Sequence, residues 1–275
     1  MPNPINSDDA RDPDGDSSRD LDGPSRDLDG DSSRDISRDL DWDGCINARD
    51  IGGLPLLAGG LMPRGNVVRS DGPDGLSAAG WAAVWDYGVR TIIDLRRDDE
   101  CAEGVRRPAG LTVRRVSWDD YPDEDWNSRN VPPGLPGSMR AYLHDYPEAL
   151  ADTARILVGA APGAVLVHCA GGRDRTGLFA IVLGALVGVT PKALFEDYYY
   201  SFPRLLPSHR KLGLQSEIDL LESEEKAEYR AQVFAMAEAV VRELDAKSAG
   251  KVLLDGGLTE IELEALRERL LLRRD

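Results

Sequence analysis

The stretch GAVLVHCAGGRDRTGLFAIVLGALVG, residues 163–188, decides the fold. Its first six residues make a short unbroken apolar run, the pattern of a central strand buried on both faces. Cys169 follows, then two glycines and the charged set Arg173, Asp174 and Arg175. From Thr176 to Gly188 the pattern predicts a helix. A buried strand turning tightly into a helix is a building unit of a parallel sheet, and ligands collect beyond the carboxyl ends of such strands. Cys169 is expected there.

Outward from this unit the same alternation continues. VRTIIDL (89–95) reads as a second buried strand and LTVRRVSW (111–118) as another. INARDIGGLPL (46–56) and GNVVRSD (65–71) read as short strands or extended loops with glycine turns. A helix is expected over 76–88, capped by Ser77 and stopped at Gly88. Helical patterns run from Ser138 to Ala160, with Pro147 starting a new helix or kinking one. Thr190 and Pro191 cap and start another. A long charged helix is expected over 222–247, and the capping box Thr259-x-x-Glu262 opens a last helix ending near Leu272. The expected fold class is α/β, a mostly parallel central sheet flanked by helices, over residues 44–275.

The first 43 residues are different. They hold 14 Asp, no Glu and five Arg, a local net charge of −9. SRDLDG occurs at 18–23 and 25–30, SRDI at 33–36 and SRDLDW at 37–42. With almost no apolar residues to offset the entropy of ordering, a disordered acidic repeat tail is expected. The run DPDGDSSRD (12–20) has the Asp-x-Asp spacing of a calcium loop but neither the glycine at its sixth position nor a flanking helix pair.

Composition sets further bounds. A net charge of −16 over 275 residues argues against general nucleic-acid binding or adhesion to anionic membranes. No apolar run reaches the roughly 18 residues of a membrane span, and the N-terminus is too acidic for a signal or transit peptide. Cys45, Cys101 and Cys169 have no paired or metal-type spacing, and the three histidines form no ligand cluster. A cytoplasmic setting is expected, without metal or cofactor.

The loop after Cys169 has the chemistry of an oxyanion cradle. Gly171 and Gly172 let successive N–H groups converge on one anion, and the following helix adds its N-terminal N–H groups and dipole. Arg175 can grip two phosphate oxygens at once. The same positive field favours the thiolate of Cys169. His168 is expected to orient the loop, and Thr176 to donate a hydrogen bond to the sulfur. Attack on phosphorus would give a phosphocysteine that water hydrolyses, so a general acid is needed. The plainer alternative, a buried structural cysteine, leaves the clustered charges of the loop without a reason.

HCAGGRDRTG resembles the His-Cys-x-x-Gly-Lys-Asp-Arg-Thr-Gly loop of the tyrosine-phosphatase-like family of bacteria and fungi, the group containing the secreted mycobacterial dual-specificity and phosphoinositide phosphatase. NARDIGG (47–53), VVRSD, GVRTIIDLR and the closing LLDGGLTEIELEALRERLL resemble other signatures of that family, so the likeness covers about 44–273. It implies a cysteine-phosphatase fold and a phosphatase acting on phosphotyrosine, with phosphoserine, phosphothreonine and phosphoinositides as further substrates. It implies Cys169 as nucleophile, Arg175 as phosphate clamp and a catalytic role for Asp174. Arg173 stands where the family has lysine. His168, Ala170, Gly171, Gly172, Arg173 and Thr176 would line the substrate.

The sequence leaves the general acid open. Asp120 completes Trp118-x-Asp in VSWDDYPDED (116–125), where many tyrosine phosphatases carry Trp-Pro-Asp, with Asp119 in place of proline. Asp174 is the alternative, as is a merely solvated acidic loop. The stretch from Asp119 to Gly137 is too short and too rich in Pro, Gly and Asp for a large helical lid. Arg49 and Asp50 either reach the loop or form a structural salt bridge, and Asp94 and Arg96 are expected to brace it. His144 and His209 are read as surface or satisfied histidines. Cys45 and Cys101 are spectators, unless one lies near enough to Cys169 to act as a resolving thiol. Two other function classes share such a loop: a phospho-binding module with weak catalysis, and a rhodanese-like sulfurtransferase, whose loop lacks this Arg-Thr-Gly continuation.

Overall fold

β-Branched and aliphatic residues dominate the three inner strands of one five-stranded sheet, made of β1 (Arg49–Asp50), β2 (Val67–Ser70), β3 (Val89–Asp94), β4 (Thr112–Arg115) and β5 (Ala164–His168). The order is β1-β2-β5-β3-β4, with only β1 antiparallel to its neighbour. This computed structural model describes residues 38–273 apart from 103, 106 and 122–134, with backbone alone at 135–138, 216, 217 and 220. The expected disordered tail up to residue 37 and most of the acidic loop after Tyr121 lie outside the described residues.

β5 sits at the centre and is buried along its whole length. Val165 and Val167 face one core with Ile93 and Leu95; Ala164 and Leu166 face the other with Val68, Val89 and Ile92. That split is the period-two geometry of a strand covered on both sides. The larger core is closed by α3 (Pro147–Val158), α4 (Arg175–Leu186), α7 (Ala227–Glu243), α8 (Ala246–Asp255) and α9 (Glu260–Leu271). α1 (Ala78–Asp86) closes the smaller one. α2 (Leu135–His144), α5 (Pro191–Leu212) and α6 (Gln215–Glu222) complete the helices.

Local signals act as expected at several ends. Ser77 Oγ accepts from Gly80 N at 3.1 Å, Thr190 Oγ1 from Ala193 N at 3.4 Å, and Thr259 forms its reciprocal box with Glu262. Pro147 starts α3 rather than kinking a continuous helix.

Two expectations change. The single long helix over 222–247 is instead α7, a turn at Leu244, and α8. Asp245 and Ser248 form a reciprocal capping box that ends one helix and starts the next, and Leu244 drops into the core. The last repeat copy, which composition groups with the tail, is packed into the domain. Trp42 is 3% exposed, Arg38 reaches the buried Asp197, and Asp39 pairs with Arg204. Its backbone runs beside β1: Asp50 N donates to Arg38 O at 3.0 Å and Leu40 N to Ala48 O at 3.1 Å. The tryptophan, absent from the upstream copies, supplies the apolar area that they lack.

Candidate active site

Cys169 lies at the carboxyl end of β5, a free and buried thiol, with α4 beginning at Arg175. The loop between them is held from outside through its carbonyl oxygens. Gly72 N donates to Ala170 O at 2.8 Å and Asn47 Nδ2 to Gly171 O at 2.8 Å. Arg69 Nη2 donates to Gly172 O at 2.7 Å, while His168 Nδ1 lies 3.1 Å from Cys169 O. In a trans peptide the N–H points opposite to the C=O, so outward carbonyls turn the next residues' N–H groups inward. The result is a concave nest at the N-terminus of a helix, the arrangement that binds anions.

Glycine is required at Gly172, where φ is +67° and an added Cβ would sit 2.1 Å from Ser70 O. At Gly171 an added Cβ would meet the end of Leu205 at 3.3 Å.

Arg175 is held by carboxylates on the loops after β3 and β4. Its Nη2 donates to Glu100 Oε1 at 2.6 Å; its Nη1 donates to Glu100 Oε2 at 2.7 Å and Asp119 Oδ2 at 2.8 Å. Burial works against its charge, but Glu100, Cys169 and Asp119 hold the guanidinium well above its ordinary range. Arg175 beside Glu100 in turn holds that carboxyl below its usual range.

The other expected site residues fall in distinct places. Asp174 is the N-cap residue of α4 without a side-chain cap bond. Its carboxylate instead accepts from Arg173 Nε at 2.7 Å, and that guanidinium lies 4.7 Å over the ring of Phe202. Asp120 lines a cavity of about 550 Å³ with Arg115, Ser117, Tyr121, Asp152 and Arg155. The aspartate of this turn that reaches Arg175 is Asp119. Thr176 is 1% exposed and its Oγ1 makes no hydrogen bond among the described residues, so the expected bond to the sulfur is not made.

His168 is fully buried, and burial pulls its pKa down to about 4. Asp94 accepts from Arg96 Nε and Nη2 at 2.9 Å each, a pair at the carboxyl end of β3. Arg96 also reaches Asp74, Nη1 to Oδ2 at 2.6 Å. Neither Arg49 nor Asp50 bonds to the loop: Arg49 binds Asp197, and Asp50 accepts from Gly52 N, Gly65 N and Tyr87 Oη. It is Asn47, the first residue of NARDIGG, that holds the loop. Cys101 Sγ donates to Arg97 O at 3.2 Å, and burial and Asp71 push the Cys45 thiol up. His144 Nε2 lies 3.8 Å from Glu243 on the surface.

Asn47, Arg69, Gly72, Glu100 and Asp119 were not among the residues the sequence singled out for the site. Asn47, Arg69 and Asp119 lie inside motifs of the sequence, but nothing local gives them these partners. Glu100 is 75 residues from Arg175, with no spacing rule to link them.

A model of the tyrosine phosphatase family matches residues 40–272. The chain belongs to that family. The matched span begins at Leu40, inside the last repeat copy, and includes the buried Trp42. A protein of Cupriavidus necator provisionally named a tyrosine-protein phosphatase is 28% identical over 181 residues, 60% of this chain and 64% of that protein. The tyrosine-protein phosphatase of Nostoc commune is 30% identical over 155 residues, 54% of this chain and 52% of its own. The chain thus matches less than two thirds of the length of either relative. Among the described residues no helix is long and apolar enough to cross a membrane.

Proposed function

We propose that this family member is a cysteine-dependent protein phosphatase acting first on phosphotyrosine, with phosphoserine, phosphothreonine and phosphoinositides as further substrates. The observation that carries the proposal is a buried Cys169 under peptides whose carbonyls are all tied outward, with Arg175 at the helix N-terminus beside it. The inward N–H groups and Arg175 would hold the phosphate oxygens while the Cys169 thiolate attacks phosphorus in line. The S–P bond forms as the P–O bond to the leaving group breaks. The leaving oxygen takes a proton from an acid, and water then cleaves the S–P bond to give inorganic phosphate and the thiolate. A cytoplasmic setting, supported by three free cysteines, and activity without metal belong to the same proposal.

Asp119 is the acid that the geometry favours. Asp174 is committed to Arg173, and Asp120 lines the neighbouring cavity, whereas Asp119 is bonded to the residue that must receive the phosphate. Once phosphate replaces it on Arg175, its carboxylate would be freed from the ion pair to take up a proton from solvent and pass it to the leaving oxygen. Turnover of p-nitrophenyl phosphate in EDTA tests the enzyme reading; no activity, or activity surviving Cys169→Ser, overturns it. Asp119→Asn should slow poor leaving groups by about 10²-fold or more and good ones much less. The same signature in Asp120→Asn, with Asp119→Asn normal, would move the role back to Asp120.

A further inference from the structure

Behind the loop lies a buried charge cluster that the proposed chemistry does not use. Asp197 on α5 is met by three arginines from separate segments. Arg38 comes from the last repeat copy, Arg49 from β1 with Nε 2.9 Å from Oδ1, and Arg69 from β2 with Nη1 2.6 Å from Oδ2. All four side chains are 5% exposed or less. Ser201, one turn along α5, accepts from Arg49 Nη2 at 2.9 Å and Arg69 Nη2 at 3.3 Å. Burial works against the carboxylate, but Arg49, Arg38 and Arg69 hold it far below its usual range. Buried charges persist only where they are paired, so the cluster holds each guanidinium in one place.

Arg69 carries the cluster to the loop. Arg69 Nη2 donates to Gly172 O at 2.7 Å and lies 3.3 Å from Arg173 O. These carbonyls belong to the peptides whose N–H groups are those of Arg173 and Asp174, at the rim of the nest. A cation on a peptide oxygen polarises that peptide and strengthens its N–H as a donor. Asp197 fixes the guanidinium so that its other edge meets both carbonyls.

We infer that Arg69 and Asp197 are positioning residues for catalysis, setting the aim and polarity of the loop N–H groups that hold the phosphate. This rests on the phosphatase reading, so the test separates the two. The affinity of inorganic phosphate is measured by calorimetry on the full chain, alongside kcat and KM for p-nitrophenyl phosphate. Wild type that neither binds phosphate nor turns over substrate would sink the phosphatase reading itself.

With an active wild type, Arg69→Lys keeps a positive charge but cannot bridge Asp197 and both carbonyls. It should bind phosphate about tenfold more weakly and lose about tenfold in kcat. Asp197→Asn should show the same pattern, and Ser201→Ala a two- to threefold version. Leu266→Ala, buried on α9, serves as the stability control: it should lower the melting temperature and leave phosphate affinity alone. Phosphate affinity and kcat within twofold of wild type in folded Arg69→Lys or Asp197→Asn overturn the inference. So does an equal loss of affinity in Leu266→Ala. Should both cluster variants fail to fold, Ser201→Ala decides, and unchanged affinity there overturns it.

Discussion

Gly171 and Gly172 stand side by side in the loop, yet the structure asks very different things of them. At Gly172 the backbone is left-handed, which costs a residue with a Cβ about 1–2 kcal/mol. The added carbon would also lie 2.1 Å from Ser70 O and 2.3 Å from Ser70 C. Those are backbone atoms of β2, and Ser70 is paired in register with His168, so no flexible side chain can yield. Loop and strand would have to part by more than 1 Å to restore contact of about 3.5 Å. Overpacking of that kind adds about 1–3 kcal/mol, for a total near 3 kcal/mol. In a domain of this size that is a fall in melting temperature of about 6–12 °C. A displacement of about 1 Å at the nest costs on the order of 100-fold in kcat/KM. Gly171→Ala meets only the end of Leu205, which can swing aside, so it should stay within about 1 kcal/mol and threefold in rate. Thermal melts and p-nitrophenyl phosphate kinetics on both variants check this. Equal behaviour of the two, or Gly172→Ala within about threefold of wild type, would refute the reasoning.

Other outcomes follow from the same structure. Because burial lowers the pKa of His168 from its ordinary 6.5 to about 4, the folded state resists protonation that the unfolded chain accepts. The stabilising effect is complete above about pH 6.5 and is lost as pH falls towards 4, a change of about 3 kcal/mol. Urea midpoints across that window should fall for wild type and stay flatter for His168→Asn. The depressed carboxyls Asp94 and Glu100 act at lower pH, where acid protonates them. Trp118→Phe loses the indole bond to Thr153 Oγ1 at 2.9 Å in a fully buried site and should cost about 1–3 kcal/mol in urea unfolding. Shortening the chain to begin at residue 44 removes Arg38, Asp39 and buried Trp42; the tryptophan alone should cost about 3 kcal/mol or more, read as a lower urea midpoint.

Much of this protein was written locally. The apolar run before Cys169, the glycine pair and the helix after it fix a strand-loop-helix, because burial, tight turning and helix capping depend on neighbours in sequence. The same holds for the Ser77, Thr190 and Thr259 caps and for the order of strands and helices. What local pattern could not settle was which distant charges would meet. The long helix expected over 222–247 broke because a capping box at Asp245 and a core seat for Leu244 outweighed its charge periodicity. Asp119 rather than Asp120 reaches Arg175, since two adjacent side chains on one turn point in different directions and only packing selects which faces the cradle. Glu100 on Arg175, Asn47 and Arg69 on the loop, and Arg38 on Asp197 join residues from 75 to 159 positions apart. Contacts of this range carry no periodicity along the chain, so only the closed sheet with its helices in place could bring those partners together.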